Sequence, residues 1–123
     1  MTDWNDNQPI FRQLSNQISQ QILQGVWIEG SALPSIRTVA ADLKINHLTV
    51  MKSYQLLVDE GLVEKRRGQG MFVTTGAVAQ LKCAKRNEFI EQQVPQIANT
   101  LRHIDMELDD FVSQLKKQMK GQQ

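Results

Sequence analysis

The chain has 123 residues, 41% of them hydrophobic and 22% charged, with a formal net charge of +1. That length holds one ordinary domain, or a domain of about 75 residues with a short appendage, and excludes two full-sized domains. The composition supports a packed core and excludes wholesale disorder, while the lone Cys83 excludes an internal disulfide and a thiolate zinc site.

Residues 1–8 are polar apart from Trp4 and read as an arm. From Ile10 the apolar positions Phe11, Leu14, Ile18 and Ile22 recur every three or four residues, which predicts an amphipathic helix. Pro9 suits its first turn and Gly25 its stop. Trp27, in the apolar stretch 26–28, reads as a plug for the core or a hinge before Gly30 turns the chain. Pro34 drives Leu33 toward an extended conformation, and Ser35 behind it can cap a short helix whose apolar face is Ile36, Val39, Ala40 and Leu43. Lys44 and Ile45 make a turn. Asn46 then caps a third helix with Val50, Tyr54, Leu57 and Val58 inward, and Gly61 ends it. Residues 62–65 and 71–74 have strand character and should pair as a hairpin around Arg66, Arg67, Gly68, Gln69 and Gly70.

After Gly76 the apolar positions Val78, Leu81, Phe89, Ile90, Val94, Ile97, Ala98 and Leu101 predict one long helix bent at Pro95, whose ring removes a backbone hydrogen bond. Leu108, Phe111, Val112, Leu115 and Met119 predict a last helix. Glu107, Asp109 and Asp110 lie near its positive end and Lys116, Lys117 and Lys120 near its negative end. Two such helices cannot enclose a core alone, so their apolar faces must cover the first domain, each other or a second chain.

This order is that of a winged helix-turn-helix: a mainly α fold with a small β-hairpin wing over residues 1–76, followed by a C-terminal two-helix dimerisation segment over residues 77–123. From residue 34 to 71 six bases (Arg37, Lys44, Lys52, Lys65, Arg66, Arg67) face four acids (Asp42, Asp59, Glu60, Glu64), a modest basic excess that suits DNA. A recognition helix must expose short polar or donor-bearing side chains on its first turns, because only that end reaches the floor of the major groove. Here it offers Asn46, His47, Leu48, Thr49 and Lys52. Thr49 can meet a phosphate or a thymine methyl, and Lys52 a phosphate or a guanine edge. Arg37, one residue past the inward Ile36, has the bidentate geometry for guanine or phosphate. In the wing, Arg66 and Arg67 supply charge, and Gly68 and Gly70 let the backbone approach a phosphate or the minor groove. Plainer readings stand beside these. Arg37 could be a surface charge or a partner of Asp42, Thr49 a tolerated helix residue, and the wing arginines a guard against edge aggregation. His47 has no second metal ligand nearby, His103 reads as structural, and Met51, Met71, Met106 and Met119 read as packing residues.

The motifs Pro9-Ile10-Phe11 with Gln13 and Ile18, Gly25, Gly30, Leu33-Pro34-Ser35-Ile36-Arg37, Leu43, Asn46, Thr49-Val50, Tyr54, Leu57, Glu60-Gly61-Leu62 and Gly68-Gln69-Gly70-Met71-Phe72-Val73 resemble the N-terminal domain of GntR-family bacterial regulators. The tail, with Phe89, Pro95, Ile104, Met106, Leu108, Asp109, Asp110 and Phe111, is similar to that of the YtrA-like subfamily. The resemblance implies a symmetric homodimer, joined through the C-terminal helices, on an operator of two inverted half-sites. It implies DNA contacts from Ser35, Arg37, Asn46, Thr49, Lys52, Gly68 and Gly70, and repression of an operon that encodes an ABC transporter. The sequence departs from the family where His47 and Leu48 replace polar or proline residues, where Asp105 replaces a frequent glycine, and where Glu107 replaces a frequent serine.

The dimer interface is expected from Phe89, Val94, Ile97, Leu101, Leu108, Phe111 and Leu115. Double-stranded DNA and a second copy of the chain are the expected partners, with no cofactor, no metal and no membrane. A small-molecule effector could sit between the tail helices, where no polar cluster nominates a site. The competing reading is a protein-interaction module that uses the winged scaffold as a docking surface. An enzyme would need converging nucleophile, base and acid groups, and one cysteine with two distant histidines supplies no such set. No apolar run approaches the ~18 residues of a membrane span and the polar start carries no cleavable signal, so a cytoplasmic location is expected.

Overall fold

The structure is a computed structural model and describes residues 4–121. The first helix, α1 (Ile10–Gln24), buries Leu14, Ile18 and Ile22, as their spacing requires. Pro9 stands just outside it in an extended conformation, and its carbonyl accepts from the amides of Arg12 and Gln13. Gly25 closes the helix at φ 86. Its amide donates to the Ile22 carbonyl and that of Val26 to Gln21, the paired bonds of a Schellman motif. Trp27 is half-buried against the core with Nε1 donating to Gln21 Oε1 at 2.7 Å, as a plug should be.

The helix-turn-helix consists of α2 (Ile36–Leu43) and α3 (His47–Asp59), joined through Lys44 in the left-handed conformation at φ 56. Ser35 caps α2 by accepting from the Thr38 amide at 3.1 Å, and Asn46 Oδ1 caps α3 by accepting from the Leu48 amide at 2.8 Å. Val50, Tyr54 and Leu57 are buried. Two buried hydroxyls fix the rotation of α3. Ser53 Oγ donates to the Phe11 carbonyl at 2.7 Å, and Tyr54 Oη to the Pro34 carbonyl at 2.6 Å. Burial pushes the Tyr54 phenol up to about 12.

The wing pairs β1 (Val63–Arg66) with β2 (Gly70–Val73) antiparallel, from Val63 opposite Val73 to Arg66 opposite Gly70. The strands sit one residue from the expected 62–65 and 71–74. The reason is that Leu62 gives its amide to the Leu57 carbonyl, closing α3, and meets Thr74 through a single bond, its carbonyl accepting from the Thr74 amide. At the tip the Gln69 amide donates to the Arg66 carbonyl, and Gly68, third in that turn, has the positive φ of a type II turn. A third short segment lies along β2: Ala32 bridges Phe72, while Gly30 and Leu33 donate to the carbonyls of Val73 and Met71. A bridge of single residues is too short to show alternation, so the segment carries no strand signature in the sequence.

The chain divides into two compact units, Met1–Cys83 and Ala84–Gln123. The expected division at 76 fell earlier. The first turns of α4 (Ala77–Glu88) belong with the first unit, because Ala77 is buried in its core and Val78 and Leu81 pack on it. The Glu29 carboxylate secures that start, accepting from the amides of Gly76 and Val78 at 3.0 Å each, and these two bonds hold its pKa below the ordinary value.

In the second unit the helix expected to run on through Pro95 changes character. A π-helical turn, Phe89–Gln93, separates α4 from α5 (Val94–His103), with the Val94 amide donating to the Phe89 carbonyl. Pro95 lies in the first turn of α5, and the widened turn before it gives its ring room beside a preceding carbonyl. Asp105, at φ 55, turns the chain toward α6 (Leu108–Lys120). Glu107 occupies the capping position of α6 without a side-chain cap, and Asp109 and Asp110 stand in the first turn.

Candidate nucleic-acid interface

The N-terminal turn of α3 and the exposed side of α2 border one groove of about 770 Å³, lined by polar Arg37, Asn46 and His47 and by apolar Ala40, Leu48 and Met51, among others. Ile36, Val39, Ala40 and Leu43 turn toward the core on α2, which leaves Arg37 on the open side. Among the described residues Arg37 makes no ion pair, so the alternative of a bridge to Asp42 is not formed. A free guanidinium at a groove rim is available to a phosphate or a guanine edge.

The other expected contact residues differ in how free they are. Ser35 is exposed, but its hydroxyl donates to Thr38 Oγ1 at 2.8 Å as well as accepting from the Thr38 amide. Asn46 has its Oδ1 engaged by Leu48 and keeps its amide donors. His47 is exposed, and Thr49 is half-buried. Lys52 is exposed with Nζ 5.9 Å from the centre of the Phe11 ring, and Arg12 lies 5.7 Å from the same ring. Arg12 thus adds a cation beside α3 that the helical pattern of α1 did not single out.

In the wing Arg66 is committed. Its guanidinium stacks 4.0 Å from the centre of the Phe72 ring, and Nη2 lies 3.7 Å from Glu64 Oε1. Arg67 is exposed at the tip, beside Gly68 and Gly70 at φ 74 and 108, whose missing side chains leave open space. Met51 corrects the expectation of a packing residue: it is exposed on the groove, because its position on α3 falls outside the stripe of Val50, Tyr54 and Leu57. Met119 is exposed as well.

In the second unit, Phe89, Val94, Leu108 and Leu115 are exposed, whereas Ile97, Leu101 and Phe111 are half-buried against one another around a pocket of about 320 Å³. His103 Nδ1 lies 2.7 Å from the Asn99 carbonyl. No group of three or more His, Cys, Asp or Glu side chains able to hold a metal occurs among the described residues, and none of their helices is long and apolar enough to cross a membrane.

A capped helix presenting its first turn beside a free arginine, flanked by a glycine-tipped hairpin, defines a winged helix-turn-helix DNA-binding domain. Residues 11–73 match the bacterial regulatory proteins of the gntR family, and the chain belongs to that family. It is 29% identical over 116 residues to the HTH-type transcriptional repressor YtrA of Bacillus subtilis, covering 92% of this chain and 88% of the repressor. It is 34% identical over 93 residues to the HTH-type transcriptional regulator YhcF of the same organism, over 74% and 77% of the two chains. A GntR-family regulator from Bacteroides thetaiotaomicron superposes with a TM-score of 0.76 at 25% identity, covering 94% of this chain and all of the other. YtrA from Sulfolobus acidocaldarius, a GntR-family transcription factor, gives 0.58 at 30% identity over 75% and 97%. The protein is a transcriptional regulator with a DNA-binding helix-turn-helix, and its relatives are regulators, not enzymes.

Proposed function

We propose that this regulator is a cytoplasmic repressor that binds, as a homodimer joined through its second unit, an operator of two inverted half-sites. The observation that carries the reading is the free Arg37 on the same groove as the exposed first turn of α3. Arg37, His47, Lys52 and the Asn46 amide donors face the base edges and flanking phosphates. Thr49 contributes its hydroxyl, Ser35 its backbone at the start of α2, and Arg67, Gly68 and Gly70 the wing contacts, with Arg66 swinging from Phe72 or holding the hairpin's charge in place. The exposed apolar residues of α5 and α6 are the surface that a second copy covers. The regulated operon, which the subfamily resemblance associates with an ABC transporter, would be identified from the operator.

The test is anisotropy of a labelled duplex selected from random DNA by the full chain. A dimer making about six to ten phosphate contacts should lose roughly 10³- to 10⁵-fold in affinity between about 50 and 200 mM salt. Arg37→Ala should weaken binding by about 1 to 3 kcal/mol. Unchanged affinity would remove Arg37 from the interface. Absence of any salt-sensitive binding would favour a protein-docking scaffold.

A further inference from the structure

The recognition helix exposes more apolar surface than its own packing explains. Leu48 is 54% exposed and Met51 47%, and both line the groove that holds Arg37, Asn46 and His47. They lie three residues apart on α3, with Lys52 one residue further, so the apolar pair and the cation share one face, away from the buried Val50, Tyr54 and Leu57. In the free chain packing covers only about half of each side chain, and an apolar pair grouped on one groove, unlike a single exposed residue, marks a surface that receives something.

The charges around them choose the kind of occupant. Exposed Arg37 on the groove suits a polyanion, as do exposed Lys52 and Arg12 beside the Phe11 ring, and the apolar group that a DNA major groove presents between its phosphates is the 5-methyl of thymine. The cap of α3 supports the assignment by geometry, since Asn46 Oδ1 accepts from the Leu48 amide at 2.8 Å. The same bond fixes the turn from which Leu48 projects. We infer that Leu48, with Met51 beside it, is a specificity-determining residue that reads thymine through its methyl group. Each half-site then carries at least one thymine under the first turn of α3. This rests on the DNA-binding reading above.

The experiment uses the full chain and the half-site it selects from random DNA, remade with deoxyuridine in place of each thymine in turn, which removes one methyl and leaves base pairing intact. Affinities are measured by anisotropy at one salt concentration. At the thymine under Leu48, wild type should weaken about fourfold, the equivalent of about 0.8 kcal/mol for one buried methyl. Leu48→Ser should bind the thymine duplex more weakly and respond little to its removal, whereas Leu48→Met should keep the response. Because Leu48 is exposed, all three proteins should give the same circular dichroism spectrum. A salt-sensitive duplex that is indifferent to every replacement, a selected half-site without thymine, or an equal response in Leu48→Ser and wild type would overturn the inference and leave the DNA-binding reading intact. Failure to bind any duplex in a salt-sensitive way would overturn both.

Discussion

Replacing Tyr54 with phenylalanine isolates one bond that ties the two helices of the reading head together. The phenol is 1% exposed and donates to the Pro34 carbonyl at 2.6 Å, just ahead of the Ser35 cap of α2. Phenylalanine fills the same space, so no cavity term enters. The loss is the net value of one neutral hydrogen bond, about 0.5 to 1.5 kcal/mol, and Pro34 is only half-buried, so water can reach its carbonyl and the larger penalty of a stranded acceptor is avoided. For a domain of this size about 1 kcal/mol lowers the melting midpoint by about 4 to 8 °C. The sign of the pH effect follows from the same burial. A phenol whose folded pKa is raised to about 12 contributes stability that is complete below its ordinary value of 10 and is lost as pH climbs through 12. Tyr54 is the one tyrosine of the chain, so tyrosinate absorbance in the near ultraviolet follows this group alone. Titration of the folded protein near 10, or a Tyr54→Phe variant that melts with wild type, would refute the account.

Three further outcomes are expected. Glu29→Gln should destabilise the start of α4; the wild-type contribution is present above the ordinary glutamate value of 4.5 and fades as pH falls through the lower folded value, so chemical denaturation across that range should show a flatter acid limb in the variant. Leu115→Glu should give monomers in sedimentation, and it is a cleaner test than Phe111, which is half-buried within its own unit; an intact dimer would move the interface elsewhere. Asp105→Ala should lower stability by about 1 kcal/mol relative to Asp105→Gly in thermal melts, because φ 55 suits glycine and tolerates aspartate but strains alanine; equal melting would show that the turn relaxes.

The helices were legible because burial imposes a period that the residues display. Leu14, Ile18 and Ile22 can share one side only in an α-helix, and Ser35 and Asn46 announce helix starts by chemistry that acts within three residues. Contacts across long separations left no such mark. Glu29 reaches Gly76 and Val78 over more than forty residues, and Ala32 meets Phe72 in a bridge of single residues. The candidate site was legible as a set of residue types on the right turn. It was not legible in which atoms are already engaged: Arg66 lies stacked on Phe72, and Ser35 and Asn46 are occupied as caps. Those commitments depend on rotamers, which spacing does not encode.

The π turn before Pro95 has a geometric consequence for the tail. In a regular α-helix five residues advance roughly 140° beyond a full revolution, so Phe89 and Val94 would point in different directions. The wider coil, closed between the same two residues, brings them back toward a common meridian, and both are open to solvent. One surplus residue thus acts as a phase corrector. Deleting a single residue from 89–93 would rotate the downstream apolar stripe by roughly a quarter turn or more and leave the Pro95 ring against a regular coil that it must kink, out of step with whatever the stripe is meant to mate with.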